Sequence, residues 1–258
     1  KLCKEILNID SSHFGSNFLL GSLSVQSRNF DLAKQLLNKA IQIQPEHANA
    51  HNNLGIVFQE LGERQRAIEC YQKAVQLKPD HIDAHNNLGA IFQELDKNVE
   101  ALAYYKKAIL IDPNHAHTIN NLSKVLSEKL PKDIIESNNI DLKKLYLLLF
   151  RRNDINHAEI FRNAKLVLFS EKQYAELGEI LNLKSPLLEK KIIQSLLKEE
   201  LFLLMLQKSL AADLFLEKIL TKLRCEILFN LTNTKKNILK EHFEFIISLS
   251  EQCFFNEY

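Results

Sequence analysis

Through the first half of the chain, small and apolar positions recur in a pattern that repeats every 34 residues. Gly21, Gly55 and Gly89 keep this step, as do Ala33, Ala67 and Ala101, then Ala40, Ala74 and Ala108, and finally Pro45, Pro79 and Pro113. Small residues at fixed helical offsets, closed each time by a proline that cannot continue a helix, predict a helix-turn-helix unit copied in tandem. The prediction divides residues 1–130 into a partial unit (1–13), full units at 14–47, 48–81 and 82–115, and a half unit (116–130).

The step is lost after Pro131. Residues 131–139, with Lys132-Asp133 and Ser137-Asn138-Asn139, read as a linker to a second domain over 131–258. Apolar residues at spacings of three and four predict helices over 142–152, 156–169 and 171–183. Ser185-Pro186 opens another that runs to about Gln207, and 209–231 and 234–258 complete the set. Six glycines in 258 residues, no tryptophan and abundant Leu, Ile, Lys, Glu and Gln agree with an all-α fold. The expected architecture is an α-solenoid followed by a C-terminal helical bundle that covers the apolar edge of the half unit.

Charge narrows the partners. Lys and Arg number 33 against 32 Asp and Glu, mixed along the chain, so no basic field exists for nucleic acid. The longest apolar runs, Leu145–Phe150 and Leu201–Leu206, fall far short of the ~20 residues a membrane span needs. Cys3, Cys70, Cys225 and Cys253 lie far apart with no C-x-x-C pair, which predicts buried thiols and a reducing, cytoplasmic setting. Cys3, Ile6 and Leu7 read as the second helix of a unit whose first helix is missing, and the apolar pattern at Phe254-Phe255 stops without a cap. Both ends suggest a fragment.

Leu54-Gly55, Phe58, Gly62, Ala67, Tyr71, Ala74 and Pro79 stand at the offsets of the tetratricopeptide repeat, and Leu88-Gly89, Phe92, Ala101, Tyr105, Ala108 and Pro113 repeat them. Residues 1–130 thus resemble that family. The resemblance implies a right-handed solenoid in which glycines and alanines let the helices of a unit approach, while Phe58, Tyr71 and their copies fill the gaps between units. It also implies that the first helices line a concave, ligand-holding surface.

On that surface the variable positions are Asn49, Asn52, Asn53, Ile56, Gln59 and Glu60. They are followed by Asp83, Asn86, Asn87, Ala90, Gln93 and Glu94, and by His117, Asn120, Asn121, Lys124 and Glu128. Asparagine costs ~0.5 kcal/mol or more against alanine inside a helix, so three matched pairs ask for a reason. A side-chain amide offers one donor and one acceptor, as the backbone of an extended peptide requires. The series Asn53, Asn87, Asn121 resembles the asparagine ladder of O-linked N-acetylglucosamine transferases, which holds substrate peptide backbone. The other reading has these amides solvated or bridging neighbouring helices after duplication of one unit. Asn52, Asn53, Gln59, Asn86, Asn87, Gln93, Asn120 and Asn121 are the candidate peptide-binding residues. The first unit departs from the series with Phe18 and Leu19, and the cationic clamp that chaperone-binding relatives use for a terminal carboxylate is absent.

No catalytic constellation accompanies this surface. His47 with His51, and His81 with His85, have metal-like i, i+4 spacing but no third ligand, and read as interhelical contacts that recur with the repeat. His157 beside Glu159, and His242 between Glu241 and Glu244, lack a second ligand or a nucleophile. Arg151-Arg152 and Lys235-Lys236 read as solvated basic pairs. With no cofactor motif in sight, the expectation is a non-enzymatic scaffold that holds a protein or peptide. The alternative is the substrate-recruiting front of a larger transferase, since the layout weakly resembles the repeat-plus-connector region of bacterial methyltransferases and sugar or sulfate transferases. Self-association through an exposed edge is a third option.

Overall fold

A computed structural model describes residues 2–128, 135, 139–170 and 199–208, all helices and short turns. The chain divides into two units, Lys1–Val125 and Leu126–Tyr258.

In the first unit α1 (Leu2–Ile9) precedes α2 (Phe14–Gln26) and α3 (Phe30–Ile43), α4 (Ala48–Glu60) and α5 (Arg64–Leu77), and α6 (Ile82–Glu94) and α7 (Asn98–Ile111). α8 (Ala116–Ser127) follows in the place of a further first helix. Each full repeat is therefore two antiparallel helices, packed on one another and then on the next pair. The core runs through the stack, with Ala33, Leu37, Val57, Ala67, Tyr71, Leu88 and Ile91 sealed from solvent.

Glycine and tyrosine set the spacing inside a repeat. A Cβ added at Gly55 would lie 2.5 Å from Tyr71 Cε1, and one at Gly89 collides in the same way with Tyr105. In the first repeat the partner of Gly21 is Leu37. The tyrosines thus fill a gap within their own repeat, against the glycine of the paired helix, and not between repeats as the resemblance implied. Tyr71 and Tyr105 are completely buried.

The turns inside the repeats obey one backbone rule. Arg28, Gly62 and Asp96, again 34 apart, adopt φ of 57°, 76° and 57°. Each is the left-handed residue of a Schellman motif: Gly62 N–H bonds Gln59 O at 3.0 Å and Glu63 N–H bonds Phe58 O at 2.8 Å, with equivalent bonds around Arg28 and Asp96. Only the middle repeat uses the residue that takes this conformation without steric cost.

In the second unit α9 (Asn139–Phe150), α10 (His157–Phe169) and α11 (Glu200–Lys208) pack mutually. Tyr146, Leu149, Phe150, Ile160, Val167, Leu201, Phe202 and Met205 are sealed inside. The α10 start expected near Asn156 is a true cap, as Asn156 Oδ1 accepts the Ala158 N–H. α9 begins at Asn139, within the stretch read as linker. The expected helices over 171–183 and 209–258 lie outside the described residues. Leu126, in the last turn of α8, opens the second unit, and its carbonyl is bonded within that unit. Tyr146 Oη donates to it at 2.9 Å and buried Asn163 Nδ2 at 2.8 Å, and Asn163 also donates to the Glu128 carbonyl. Among the described residues no helix is long and apolar enough to cross a membrane.

Candidate functional site

The candidate surface is built by α2, α4, α6 and α8, the first helices of successive repeats. Asn53, Asn87 and Asn121 are all half-buried, and each donates its amide backwards to the preceding first helix. Asn53 Nδ2 reaches Ser22 Oγ at 2.8 Å, Asn87 Nδ2 reaches Asn52 Oδ1 at 3.1 Å, and Asn121 Nδ2 reaches Asn86 Oδ1 at 3.1 Å. The adjacent asparagines thereby divide into two roles. Asn52 and Asn86 are 5% and 8% exposed and accept from the next repeat. The ladder asparagines give one N–H to the array, which orients the amide and leaves its oxygen and second N–H without a described partner in the protein. Asn120, in the same pair as Asn121, is exposed.

The two glutamines serve the tyrosines. Gln59 Oε1 accepts from Tyr71 Oη at 2.8 Å, and its Nε2 donates to Glu94 at 2.7 Å. Gln93 Oε1 accepts from Tyr105 Oη at 3.1 Å. They hold the buried phenols while standing at the end of the asparagine row. Burial pushes the Tyr71 phenol far above the ordinary tyrosine value, so the donor stays protonated. Glu60 and Glu94 edge the surface and are met by Arg28 at 3.3 Å and Arg64 at 3.6 Å. At the other end Leu19 stands half exposed beside Phe18, whose ring stacks on Phe14.

The histidine pairs have a role the spacing alone did not reveal. His47 and His81 are N-caps: their Nδ1 atoms accept the Ala50 and Ala84 N–H groups at 3.2 and 3.3 Å. The His47 ring also meets Phe14 and Phe18 of α2, so the expected interhelical contact exists but is the lesser part. His51 and His85 reach the Pro45 and Pro79 carbonyls through Nε2, at 2.8 and 2.9 Å. A capping sequence would normally be sought in Ser, Thr, Asp or Asn, which is why these histidines gave no capping signal.

The described residues contain no cluster of three or more His, Cys, Asp or Glu able to hold a metal ion. Burial pushes the Cys70 thiol up to about 11, which leaves it a poor nucleophile.

The repeat register and this helix pairing are also what comparison finds. Residues 48–81 and 82–115 match one tetratricopeptide-repeat family model, and residues 14–47 match a second. Residues 14–115 are tetratricopeptide repeats. A comparison with curated proteins returns no match. Among solved structures, the tetratricopeptide protein YrrB, described as having an unusual peptide-binding site, is 15% identical, covers 88% of this chain and 98% of its own, and gives a TM-score of 0.56. MamA is 21% identical, with 67% of this chain and 87% of its own covered and a TM-score of 0.46. The first tetratricopeptide domain of Spaghetti (RPAP3), solved with an HSP90 peptide, is 22% identical over 45% of this chain and 92% of its own, at a TM-score of 0.42. At these identities the likeness is one of fold.

Proposed function

We propose that the chain is a protein-interaction scaffold whose first helices hold an extended peptide or partner segment. The row Asn53, Asn87 and Asn121 makes the backbone contacts, and the observation that supports this is its orientation. Each amide is pinned by one bond to the preceding helix while its carbonyl oxygen and remaining N–H stay uncommitted. Pinned side chains lose less freedom when a ligand arrives, which favours binding. Consecutive rungs come from consecutive repeats, a regular spacing suited to an extended chain.

Asn52 and Asn86 act in this reading as positioning residues, while Gln59, Gln93 and exposed Asn120 flank the row. Leu19 offers an apolar contact at the end where the asparagines stop. Tetratricopeptide repeats commonly serve as interaction modules, and the YrrB structure, of the same fold, carries a peptide-binding site. The test is a peptide-array screen with the full chain, followed by titration of the best ligand against Asn53→Ala with Asn87→Ala. Loss of about tenfold or more in affinity is expected, since two hydrogen bonds at ~1 kcal/mol each are removed. A ligand that binds the double variant unchanged sinks the role of the row.

A further inference from the structure

Every first helix of the array is preceded by a histidine. His13, His47, His81 and His115 stand 34 residues apart, one before each of α2, α4, α6 and α8. In the first three, Nδ1 accepts a backbone N–H of the opening turn, from Ser16 at 3.1 Å, Ala50 at 3.2 Å and Ala84 at 3.3 Å. A ring nitrogen that accepts carries no proton, so these caps exist only while the imidazole is neutral with its hydrogen on Nε2. The usual capping side chains do not titrate near neutral pH.

The two central caps stand in surroundings hostile to charge. His47 is packed against the Phe14 and Phe18 rings of α2, at 4.8 and 4.7 Å, and the titratable group that bears on it is His51. His81 is 6% exposed, and its Nε2 is buried without a hydrogen-bond partner. It is faced by His85 and Asp83 of its own helix and by Lys78 of the preceding turn. One turn further on, His51 and His85 donate from Nε2 to the carbonyls of Pro45 and Pro79, and the Nδ1 of His85 is buried with no partner. A second proton on His47 or His81 therefore breaks a cap and one on His85 strands an N–H, and each places a positive charge at the positive end of a helix.

We propose that His47 and His81, backed by His51 and His85, form an acid-sensitive latch on the two repeat junctions. Neutral rings hold the starts of α4 and α6; protonation releases both caps and loosens the helices that carry Asn52, Asn53, Asn86 and Asn87. Burial holds His47 and His81 below the ordinary histidine value in the folded chain, while the unfolded chain titrates near 6.5. Groups depressed in this way contribute stability that is present above about pH 6.5 and is lost as the pH falls below it.

The outer histidines supply the contrast. His13 lies at an exposed turn, where it also meets the Ser16 hydroxyl and has Asp10 nearby. His115 has the Asp83 carboxylate 3.4 Å from Nε2 and the Thr118 hydroxyl 2.7 Å from Nδ1.

The latch itself does not depend on the peptide reading; acid release of a bound segment from the asparagine row rests on that reading. The experiment is urea unfolding of the full chain between pH 8 and 5, for the unaltered sequence and for His47→Asn with His81→Asn, joined to an NMR titration of the histidine Cε1 resonances. Asparagine caps a helix without titrating. The unaltered chain is expected to lose stability as the pH falls through 6.5, the variant to lose most of that slope, and His47 and His81 to titrate below the ordinary value as Nε2–H tautomers. An unchanged slope in the variant, or His47 and His81 titrating at or above the ordinary value, overturns the latch. If the variant does not fold, the NMR titration of the unaltered chain decides. A chain that loosens in acid yet binds no peptide at neutral pH keeps the latch and loses the peptide reading.

Discussion

Asn87 Nδ2 donates to Asn52 Oδ1 across 3.1 Å, joining two helices through residues 35 apart in the chain. Because Asn52 is 5% exposed, its oxygen meets little water and depends on this donor. Asn87→Ala is expected to destabilise the array by about 1–3 kcal/mol, the cost of an unsatisfied buried acceptor. Asn120→Ala, at an exposed position, should change stability by no more than ~0.5 kcal/mol. Urea unfolding of both variants checks the difference, and equal effects would remove the bridging role.

Gly55 and Tyr71 give a packing test. Gly55→Ala forces a methyl group into the tyrosine ring, for an expected loss of about 1–3 kcal/mol by overpacking. Leu37 fills the same place in the first repeat and lies 2.9 Å from an added Cβ against 2.5 Å for Tyr71, so adding Tyr71→Leu should ease the clash without removing it. The double variant is then less destabilised than the sum of the singles, which a double-mutant cycle measures directly.

Asp96 holds a left-handed conformation, φ 57°, that Gly62 holds in the repeat before it. Asp96→Gly is expected to stabilise the chain by up to ~1 kcal/mol, the steric cost relieved less the entropy a glycine loses on folding. Thermal unfolding should show a raised midpoint. The same change at Arg28 should gain less, because it also removes the contact with Glu60.

Tyr71 and Tyr146 are buried as neutral phenols, each pushed far above the ordinary value by loss of water. An acid whose folded value is raised stabilises the fold below its unfolded value and loses that contribution above it, here about pH 10. Absorbance titration should therefore show these two phenols ionising only together with alkaline unfolding. Smooth ionisation near pH 10 with the helices intact would contradict their burial.

The repeat boundaries, the helix pairs and the glycine positions could be read from the sequence because each depends on neighbours within one 34-residue unit. A proline stops a helix and a recurring glycine marks a close approach wherever they occur. The same local logic placed the α10 start at Asn156. It misplaced the start of α9, since Asn138-Asn139 resembles a turn until a helix continues from it.

Tertiary structure decided how identical-looking residues divide their work. Asn52 and Asn53 are the same side chain one position apart, yet about 100° of helix rotation turns one towards the next repeat and leaves the other on the shared surface. No local pattern states which amide meets which helix, because the partner lies 31 or 35 residues away and depends on how successive repeats rotate. The capping histidines follow the same rule. Their spacing is plain in the sequence, but that Nδ1 meets a backbone N–H while two phenylalanine rings pack against His47 is set by the fold. Sequence alone thus determined the repeated unit; the stacking of those units determined which polar groups are bonded inside the array and which remain at its surface.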